Sequence, residues 1–188
     1  MLHRGPEAKK GFISRATEGE GLETKAMKMA MYLEVLRDEV ANLHCAELQF
    51  LGSVHHIRDS ARNPDLRNWL KVRRDETIAH VKRLEQVIQI CGGARSRRNS
   101  SAIQSMLEDC GETCAHPIYS EVLDFRILLS VQRVTCYKLA GYEVSMSLAY
   151  ELDQRDAGLV LEMSLGDERE ASQSLADLAS DSLYARAA

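Results

Sequence analysis

Four side chains that can bind a metal ion interrupt the apolar faces of predicted helices. They are Glu47, Glu76, His80 and Glu168. Carboxylate and imidazole groups that project inward from facing helices are the ligands of di-iron and di-manganese bundles. Buried carboxylates repel one another, and they persist only beside a cation, a proton or a basic side chain. The sequence therefore predicts either a metal centre or a cluster of acidic groups neutralised from within the protein.

The spacing of these residues brings them to similar depths in their helices. Glu47 falls inside the apolar stripe of the first helix, and Glu168 interrupts the stripe of the last one. Arg73, Glu76 and His80 follow one another at intervals of three and four residues, so they share one face of the second helix. A single glutamate in such a place more often lies at the edge of a stripe and reaches water. The prediction therefore depends on several such side chains meeting at one level.

The elements that position these residues are predicted to be helices. From Ala26 onward, apolar residues recur every three or four positions, as in helices with one buried face. The predicted boundaries between long helices are, in chain order, Asn63-Pro64, Gly92-Gly93, Pro117 and Asp153. A shorter helix is predicted over residues 101–113, where it suits the crossover of ferritin-like topology. Amphipathic helices of this length bury their faces most simply as an all-α, ferritin-like four-helix bundle.

The third long helix has apolar residues on several sides, so its buried face is the hardest to predict. The predicted stripe comprises Ile118, Val122, Phe125, Leu129, Cys136, Leu139, Met146 and Tyr150. We expect Tyr137 and Tyr142 of this helix to hydrogen-bond to the buried carboxylates.

Length and composition limit the classes of function. The 188 residues predict one domain over residues 26–180, a disordered N-terminal extension over 1–25 and a frayed C-terminal tail over 181–188. A net charge of −4 gives no reason to expect a nucleic-acid partner, and no apolar stretch is long enough to predict a membrane partner. Five cysteines, an odd number without zinc-ribbon spacing, indicate free thiols and a cytoplasmic location.

Four segments resemble the YciE/YciF-like family of ferritin-like bacterial stress proteins, whose domain has no assigned function. Residues 39–49, EVANLHCAELQ, resemble its opening ELRDLYHAEKQ pattern, and residues 75–87, DETIAHVKRLEQV, are similar to its EET-x-x-HVERLEQV segment. Residues 132–142, QRVTCYKLAGY, look like its QRVEHYEIAGY segment. Residues 165–179, LGDEREASQSLADLA, are similar to its ending in composition only. The resemblance spans roughly residues 30–180, and it implies a ferritin-like bundle that is commonly dimeric and linked to bacterial stress.

The resemblance also implies a di-metal site that this chain carries only in part. The matching ligand positions are Glu47, Glu76, His80 and Glu168. Arg73 stands where the family usually has histidine, and Thr135 and Lys138 stand where it has two glutamates. Two of these three substitutions introduce a cation among carboxylates that a metal pair would otherwise neutralise.

Two hypotheses for function follow. In the first, Arg73 and Lys138 form an internal salt-bridge network in place of the metal, and a non-catalytic bundle acts by association with a second copy or a paralogue. In the second, the retained ligands bind iron or manganese weakly in an oxidoreductase or a metal-handling protein; Cys136 could add a ligand, but a cysteine in an apolar stripe is more often an inert core thiol. The enzyme class stays open, and the cofactor is either absent or a weakly bound iron or manganese ion.

Cys110 and Cys114 form a separate pair one helical turn apart on the short helix. Such a pair can bind metal or respond to oxidation. Because no third and fourth ligand stands nearby in the sequence, we interpret them as packing or solvent-side thiols.

Overall fold

The computed structural model describes the backbone of residues 7–93, 100–115 and 120–180, and the side chains of 24–93, 100–115 and 122–180. These residues form five α-helices and no strand: α1 (Glu7–Ser60), α2 (Pro64–Ile90), α3 (Ser101–Ala115), α4 (Ser120–Glu151) and α5 (Arg155–Leu178). The four long helices pack as a bundle, so the predicted all-α, ferritin-like architecture is confirmed. Helix α3 extends two residues beyond its predicted end.

The turns follow from local chemistry. Asn63 caps α2, because its side-chain oxygen accepts hydrogen bonds from the backbone N–H groups of Asp65 and Leu66 at 2.8 and 3.1 Å. Helix α2 ends before Gly92 and Gly93, whose φ angles of 90° and 97° suit glycine. The boundaries predicted at these two places are confirmed. The boundary predicted at Pro117 lies outside the described residues.

The long helices form a closed ring of antiparallel neighbours. Helix α1 packs on α2 and α4, and α5 packs on the same two helices. Helices α1 and α5 run in one direction and α2 and α4 in the other, because the start of α2 and α4 shares a cluster with the end of α1 and α5. Helix α3 packs on α1 and α4. Its predicted crossover role stays a prediction, because residues 94–99 and 116–119 lie outside the described residues.

Two apolar clusters fill the bundle, and a level of charged side chains separates them. The first cluster holds, among others, Phe50, Leu70, Ile127, Val134 and Leu175. The second holds, among others, Leu43, Leu84, Tyr142, Ala149 and Leu165. Along each long helix, charged residues stand between members of the two clusters. We call this level the charged layer and define it as Glu47, Arg73, His80, Lys138 and Glu168.

The face predicted for α4 is wrong in part: Phe125, Leu139 and Met146 are half-buried against the two clusters, but four other predicted residues are not. Val122, Leu129, Cys136 and Tyr150 are exposed, whereas the buried face carries Leu128, Val131, Thr135, Lys138, Tyr142 and Ala149. Helix α4 contacts three other helices and is apolar on several sides, so three- and four-residue spacing could not select the central face. Ile118 lies outside the described side chains.

The domain limits stay predictions. Helix α1 begins at Glu7, inside the predicted N-terminal extension, and the side chains before Thr24 lie outside the described residues. Residues 181–188, predicted to be a frayed tail, also lie outside them. Within the described part of the chain, no helix combines the length and apolarity that a membrane span needs.

Candidate functional site

The charged layer draws side chains from all four long helices into one buried place. Glu47 comes from α1, Arg73 and His80 from α2, Lys138 from α4, and Glu168 from α5. Each of these five residues is at most 1% exposed. Charges this far from water are stable only when every one has a close partner. The contacts of each group therefore decide what the site can do.

Lys138 occupies the centre of the layer. Its ammonium Nζ donates to Glu47 Oε2 at 3.0 Å and to Glu168 Oε1 at 2.7 Å. It also lies 4.9 Å from the centre of the Phe50 ring, within the range of a cation–π contact. One cation thus bridges carboxylates of two different helices.

Arg73 extends the network toward the surface. Its guanidinium donates to Glu168 and, one turn along its own helix, to Glu76. Burial tends to lower the pKa of Arg73, but the charges of Glu168 and Glu76 outweigh this and raise it, so Arg73 stays charged. The Glu76 side chain is 37% exposed and lies at the edge of the layer.

His80 has a carboxylate at both ring nitrogens. Nδ1 lies 3.1 Å from Glu47 Oε1 and 3.3 Å from Glu168 Oε1, and Nε2 lies 3.2 Å from Asp167 Oδ2. Burial would lower the pKa of His80, but the hydrogen bonds to Glu168 and Glu47 raise it to about 9. At neutral pH the imidazole is therefore a cation that donates from both nitrogens.

The two inner carboxylates are ionised for the same reason. Burial would raise the pKa of Glu47 and of Glu168, but the charge of Lys138 and the hydrogen bond from His80 outweigh burial and lower both. Three charged residues border the layer: Glu76, which pairs with Arg73, and Asp167, which pairs with both His80 and Arg83. Together with them the network has four basic and four acidic groups: Arg73, His80, Arg83, Lys138, Glu47, Glu76, Asp167 and Glu168. The charges balance without an added ion.

One of the two predicted tyrosine contacts is confirmed. The Tyr142 hydroxyl donates to Glu47 Oε1 at 2.9 Å, and burial together with the Glu47 charge raises the pKa of Tyr142 well above its usual value. The contact predicted for Tyr137 is wrong, because its hydroxyl instead accepts from Asn42 at 2.7 Å and lies 3.1 Å from Ser100. Tyr137 stands five residues before Tyr142, so it faces a different neighbour.

The candidate metal ligands divide into an inner set and an outlying one. Glu47, His80 and Glu168 each offer a ligand atom within 4.8 Å of the others, so the structure brings these three together. Glu76 is paired with Arg73 at the edge. Cys136 lies on the exposed side of α4.

A metal pair does not fit this set of side chains. Di-metal bundles use ligands from all four helices, about six side chains in total. At the two α4 positions where the family resemblance implies glutamates, the chain has buried Thr135 and Lys138, and the Lys138 ammonium already bonds to two of the candidate ligands. A single cation would have to displace that ammonium. Glu168 Oε2, which has no hydrogen-bond partner among the described residues, is the oxygen that remains open to it.

Asp167 and Arg83 belong to the site but were not predicted. Arg83 Nη1 donates to Asp167 Oδ2 at 2.5 Å, and this carboxylate also faces His80. Arg83 stands three residues after His80, so helical spacing could have indicated it. No signal in the sequence separates Asp167 from its surface neighbours.

Comparison with known proteins gives a consistent set of relatives. A family model described as "Domain of unknown function (DUF892)" matches residues 31–188. Protein YciF of Escherichia coli strain K12 is 24% identical over 162 residues, which are 86% of this chain and 98% of that protein.

Solved structures show the same fold. The crystal structure of the E. coli stress protein YciF matches with a TM-score of 0.75 at 23% identity, covering 79% of this chain and 94% of that one. The YcfI protein of Rhodopseudomonas palustris matches with a TM-score of 0.72 at 28% identity, covering 76% and 92%. A ferritin-like, diiron-carboxylate protein of Bacillus anthracis matches with a TM-score of 0.59 at 13% identity, covering 78% and 96%.

Proposed function

Because this chain belongs to the DUF892 family of YciE/YciF-like, ferritin-like proteins, we propose that it is a stress-associated bundle in which an internal ion network replaces a di-metal centre. In this proposal the protein acts by association and not by catalysis. The stress association rests on the similarity to the E. coli stress protein. None of the five cysteines forms a disulfide, which suits the reducing cytoplasm.

One observation carries the proposal: Lys138 Nζ bonds to both Glu47 and Glu168. Those two carboxylates are inner members of the candidate metal triad. A buried ammonium and a bound divalent cation cannot hold the same carboxylate oxygens at once. With Arg73 and His80 also positive, an added divalent cation would leave the layer with excess positive charge in a dry interior.

The direct test measures the metal content of the purified protein. The full chain is expressed in medium with added iron and manganese, purified without chelators and dialysed. We expect iron, manganese and zinc to be far below one ion per chain by elemental analysis. Stoichiometric metal that survives dialysis would overturn the proposal.

A restoration variant tests the same proposal from the other side. Arg73→His, Thr135→Glu and Lys138→Glu together remove two cations and return the ligand types that the family resemblance implies. We expect this triple variant to retain metal in the same assay. Should the triple variant fold poorly, Lys138→Glu alone, with manganese added during thermal unfolding, gives a second measurement, because a ligand of the folded state raises Tm.

A second candidate function is a weak single-metal site formed by Glu47, His80 and Glu168, with Glu76 at its edge. The open Glu168 Oε2 atom favours it. This site predicts that Mn²⁺ or Fe²⁺ raises the Tm of the unaltered chain, with Mg²⁺ as the control ion. The network proposal predicts that Tm does not change.

Association with a second copy of the chain has support on α1. This helix has 54 residues against 32 for α4, and Met27, Met31, Tyr32 and Val35 are 54–63% exposed in the first turns whose side chains are described. Three of the four recur every four residues, so they share one face. A contiguous apolar face of this kind is typical of an interaction site.

The oligomer is tested by light scattering after size exclusion. We expect a dimeric mass for the unaltered chain and a monomeric mass for Met27→Glu with Met31→Glu, at unchanged helix content. Lys25→Glu with Lys28→Glu, on exposed neighbouring positions, is the control. If the mass is monomeric throughout, association with a paralogue is tested by co-purification with that protein.

A further inference from the structure

Two thiols of α3 form a pair at the end of the bundle opposite the second cluster. Cys110 is 1% exposed and belongs to the first apolar cluster, whereas Cys114, one helical turn later, is only partly buried. The two side chains are hydrogen-bonded to each other. One thiol is therefore open to solvent-borne reagents, and its neighbour lies directly behind it.

Helix α1 supplies the other groups that face Cys114. The Ser60 hydroxyl lies within hydrogen-bond reach of the Cys114 sulfur and also bonds to the backbone oxygen of His56 at 3.0 Å. The exposed His56 imidazole is near enough to act on the thiolate charge. Cys110 and His56, from two helices, thus stabilise a negative sulfur, and Ser60 does so when its one hydroxyl proton turns from the His56 oxygen to the sulfur.

The titration of the pair agrees with this geometry. The hydrogen bond from Cys110 lowers the pKa of Cys114 to about 6, with smaller contributions from Ser60 and His56 against the opposing effect of burial. The hydrogen bond to Cys114, together with burial, raises the pKa of Cys110. The outer sulfur therefore loses its proton more readily than the inner one, and the thiolate is the nucleophilic form.

We propose that Cys114 is a nucleophilic thiol that reacts with hydroperoxides, and that Cys110 is the resolving thiol that converts the product to a disulfide. This goes beyond the proposed function and does not depend on the charged layer. The other cysteines lack the arrangement: Cys45 and Cys91 are buried, and Cys136 is exposed and bonds only to Gln132, at 3.5 Å, among the contacts described.

The first step is a two-electron oxidation. The Cys114 thiolate attacks one oxygen of the hydroperoxide, so that an S–O bond forms and the O–O bond breaks. The remaining oxygen fragment leaves with the electron pair and takes a proton, as water from hydrogen peroxide or as an alcohol from an organic hydroperoxide. The sulfur becomes a sulfenic acid.

In the second step Cys110 attacks the Cys114 sulfur. The S–S bond forms, the S–O bond breaks, and the hydroxide leaves as water with the Cys110 proton. A disulfide needs Cβ atoms about 3.5–4.5 Å apart, whereas residues four apart on a helix hold them about 5–6 Å apart. The bond therefore requires the last turn of α3 to rearrange, and α3 ends one residue after Cys114, at Ala115.

The first test is competitive alkylation of the full, folded chain at pH 7. Limiting iodoacetamide is added, and the labelled fraction of each cysteine is read from peptide masses. We expect Cys114 to react at least tenfold faster than the more exposed Cys136, and this ratio to fall toward one in guanidinium. A slower reaction of Cys114 than of Cys136 in the folded chain would overturn the proposal without any variant being made.

The second test uses hydrogen peroxide. We expect the unaltered chain to lose two thiols and to gain a Cys110–Cys114 link, detected because cleavage after Glu112 no longer separates the two cysteines. Cys110→Ser should stop at the sulfenic acid, trapped by dimedone at Cys114. Oxidation that begins at Cys136, or no sulfenic acid at Cys114, contradicts the proposal.

A matched pair of histidine variants tests the stabilising groups. His56→Gln should slow alkylation of Cys114 severalfold, whereas His55→Gln, at the neighbouring exposed position, should leave the rate unchanged. Equal rates in both variants would show that His56 does not support the thiolate.

Discussion

The charged layer and the first apolar cluster lie side by side on the same helices, yet they hold those helices together by different physics. In the cluster, Phe50, Ile127 and Leu175 contribute through the area they remove from water, which is non-directional and roughly additive. In the layer, each charge is stable only because particular partners stand within about 3 Å. The cluster therefore tolerates small changes in side-chain size, whereas the layer is stable only when all of its charged residues are present.

This difference also suggests what the layer contributes. Replacing a whole buried ion network with well-packed apolar residues is often neutral or stabilising, so such networks are weak sources of net stability. Lys138 can bond to Glu47 and Glu168 together only when α1, α4 and α5 meet in one register. We infer that the layer fixes the alignment of the helices that the two clusters hold together.

The largest expected effect comes from removing the central cation. Lys138→Met takes from Glu47 and Glu168 the ammonium that bonds to both, so we expect a loss of about 3–5 kcal/mol in the free energy of unfolding. The measurement is urea unfolding followed by circular dichroism. Lys82 is exposed on α2, so Lys82→Met is the control and should change the free energy of unfolding little. If Lys138→Met lost no more than this control, the ion pairs of the layer would be no stronger than those of surface residues.

The next effect is a pH dependence that the apolar clusters do not have. Glu47 and Glu168 have lowered pKa values, so their contribution is present above about pH 4.5 and is lost as the pH falls. The pKa of His80 is raised from 6.5 to about 9, so its contribution is present below pH 6.5 and is lost as the pH rises through 9. That alkaline loss is on the order of 3 kcal/mol.

Urea midpoints from pH 3 to pH 10 measure this curve. A Cys114→Ser background is needed, because that thiol ionises over the same range with the opposite sign. His80→Gln should remove the slope between pH 6.5 and pH 9 and leave the acid slope, whereas Cys91, Cys110 and Tyr142, with raised pKa values, still contribute a slope above pH 9. A slope between pH 6.5 and pH 9 that persists in His80→Gln would assign the titration to another group.

A smaller effect is expected within the first apolar cluster. Ile127 is 0% exposed, and Ile127→Val removes one methylene, so we expect a loss of about 0.5–1.5 kcal/mol. The loss should be the same at pH 6 and pH 9, since no charge is involved. A value that changes with pH would mean that the cluster and the layer are coupled, and the comparison between them would fail.

The smallest effect is expected at a surface ion pair. Arg169 donates to Glu143 at 2.7 Å, but the side chains are 60% and 51% exposed. Arg169→Ala should cost less than about 1 kcal/mol, and the cost should shrink at high salt. A loss as large as that of Lys138→Met would show that burial does not decide the strength of ion pairs here.

The sequence could predict most of the layer because helical spacing is regular. Spacing alone put Arg73 and His80 on one face and Glu47 and Glu168 within apolar stripes. It could not place Lys138, whose helix is apolar on several sides; the family resemblance indicated that position. Helical spacing also does not give the distance of a side chain from the bundle axis. Glu76 was therefore grouped with the inner ligands, although its side chain is 37% exposed.

Reciprocal pairing in the charged layer has an evolutionary consequence. Exchanging any one of its basic or acidic residues leaves an opposite charge stranded, so most single-step mutational paths away from the present set pass through a less stable protein. Lineages that acquire such a layer should keep it as a unit, and Arg73 and Lys138 should be found together or be absent together among descendants. The fraction of related sequences that carry only one of these two residues would measure how strongly the charged layer limits which substitutions are accepted.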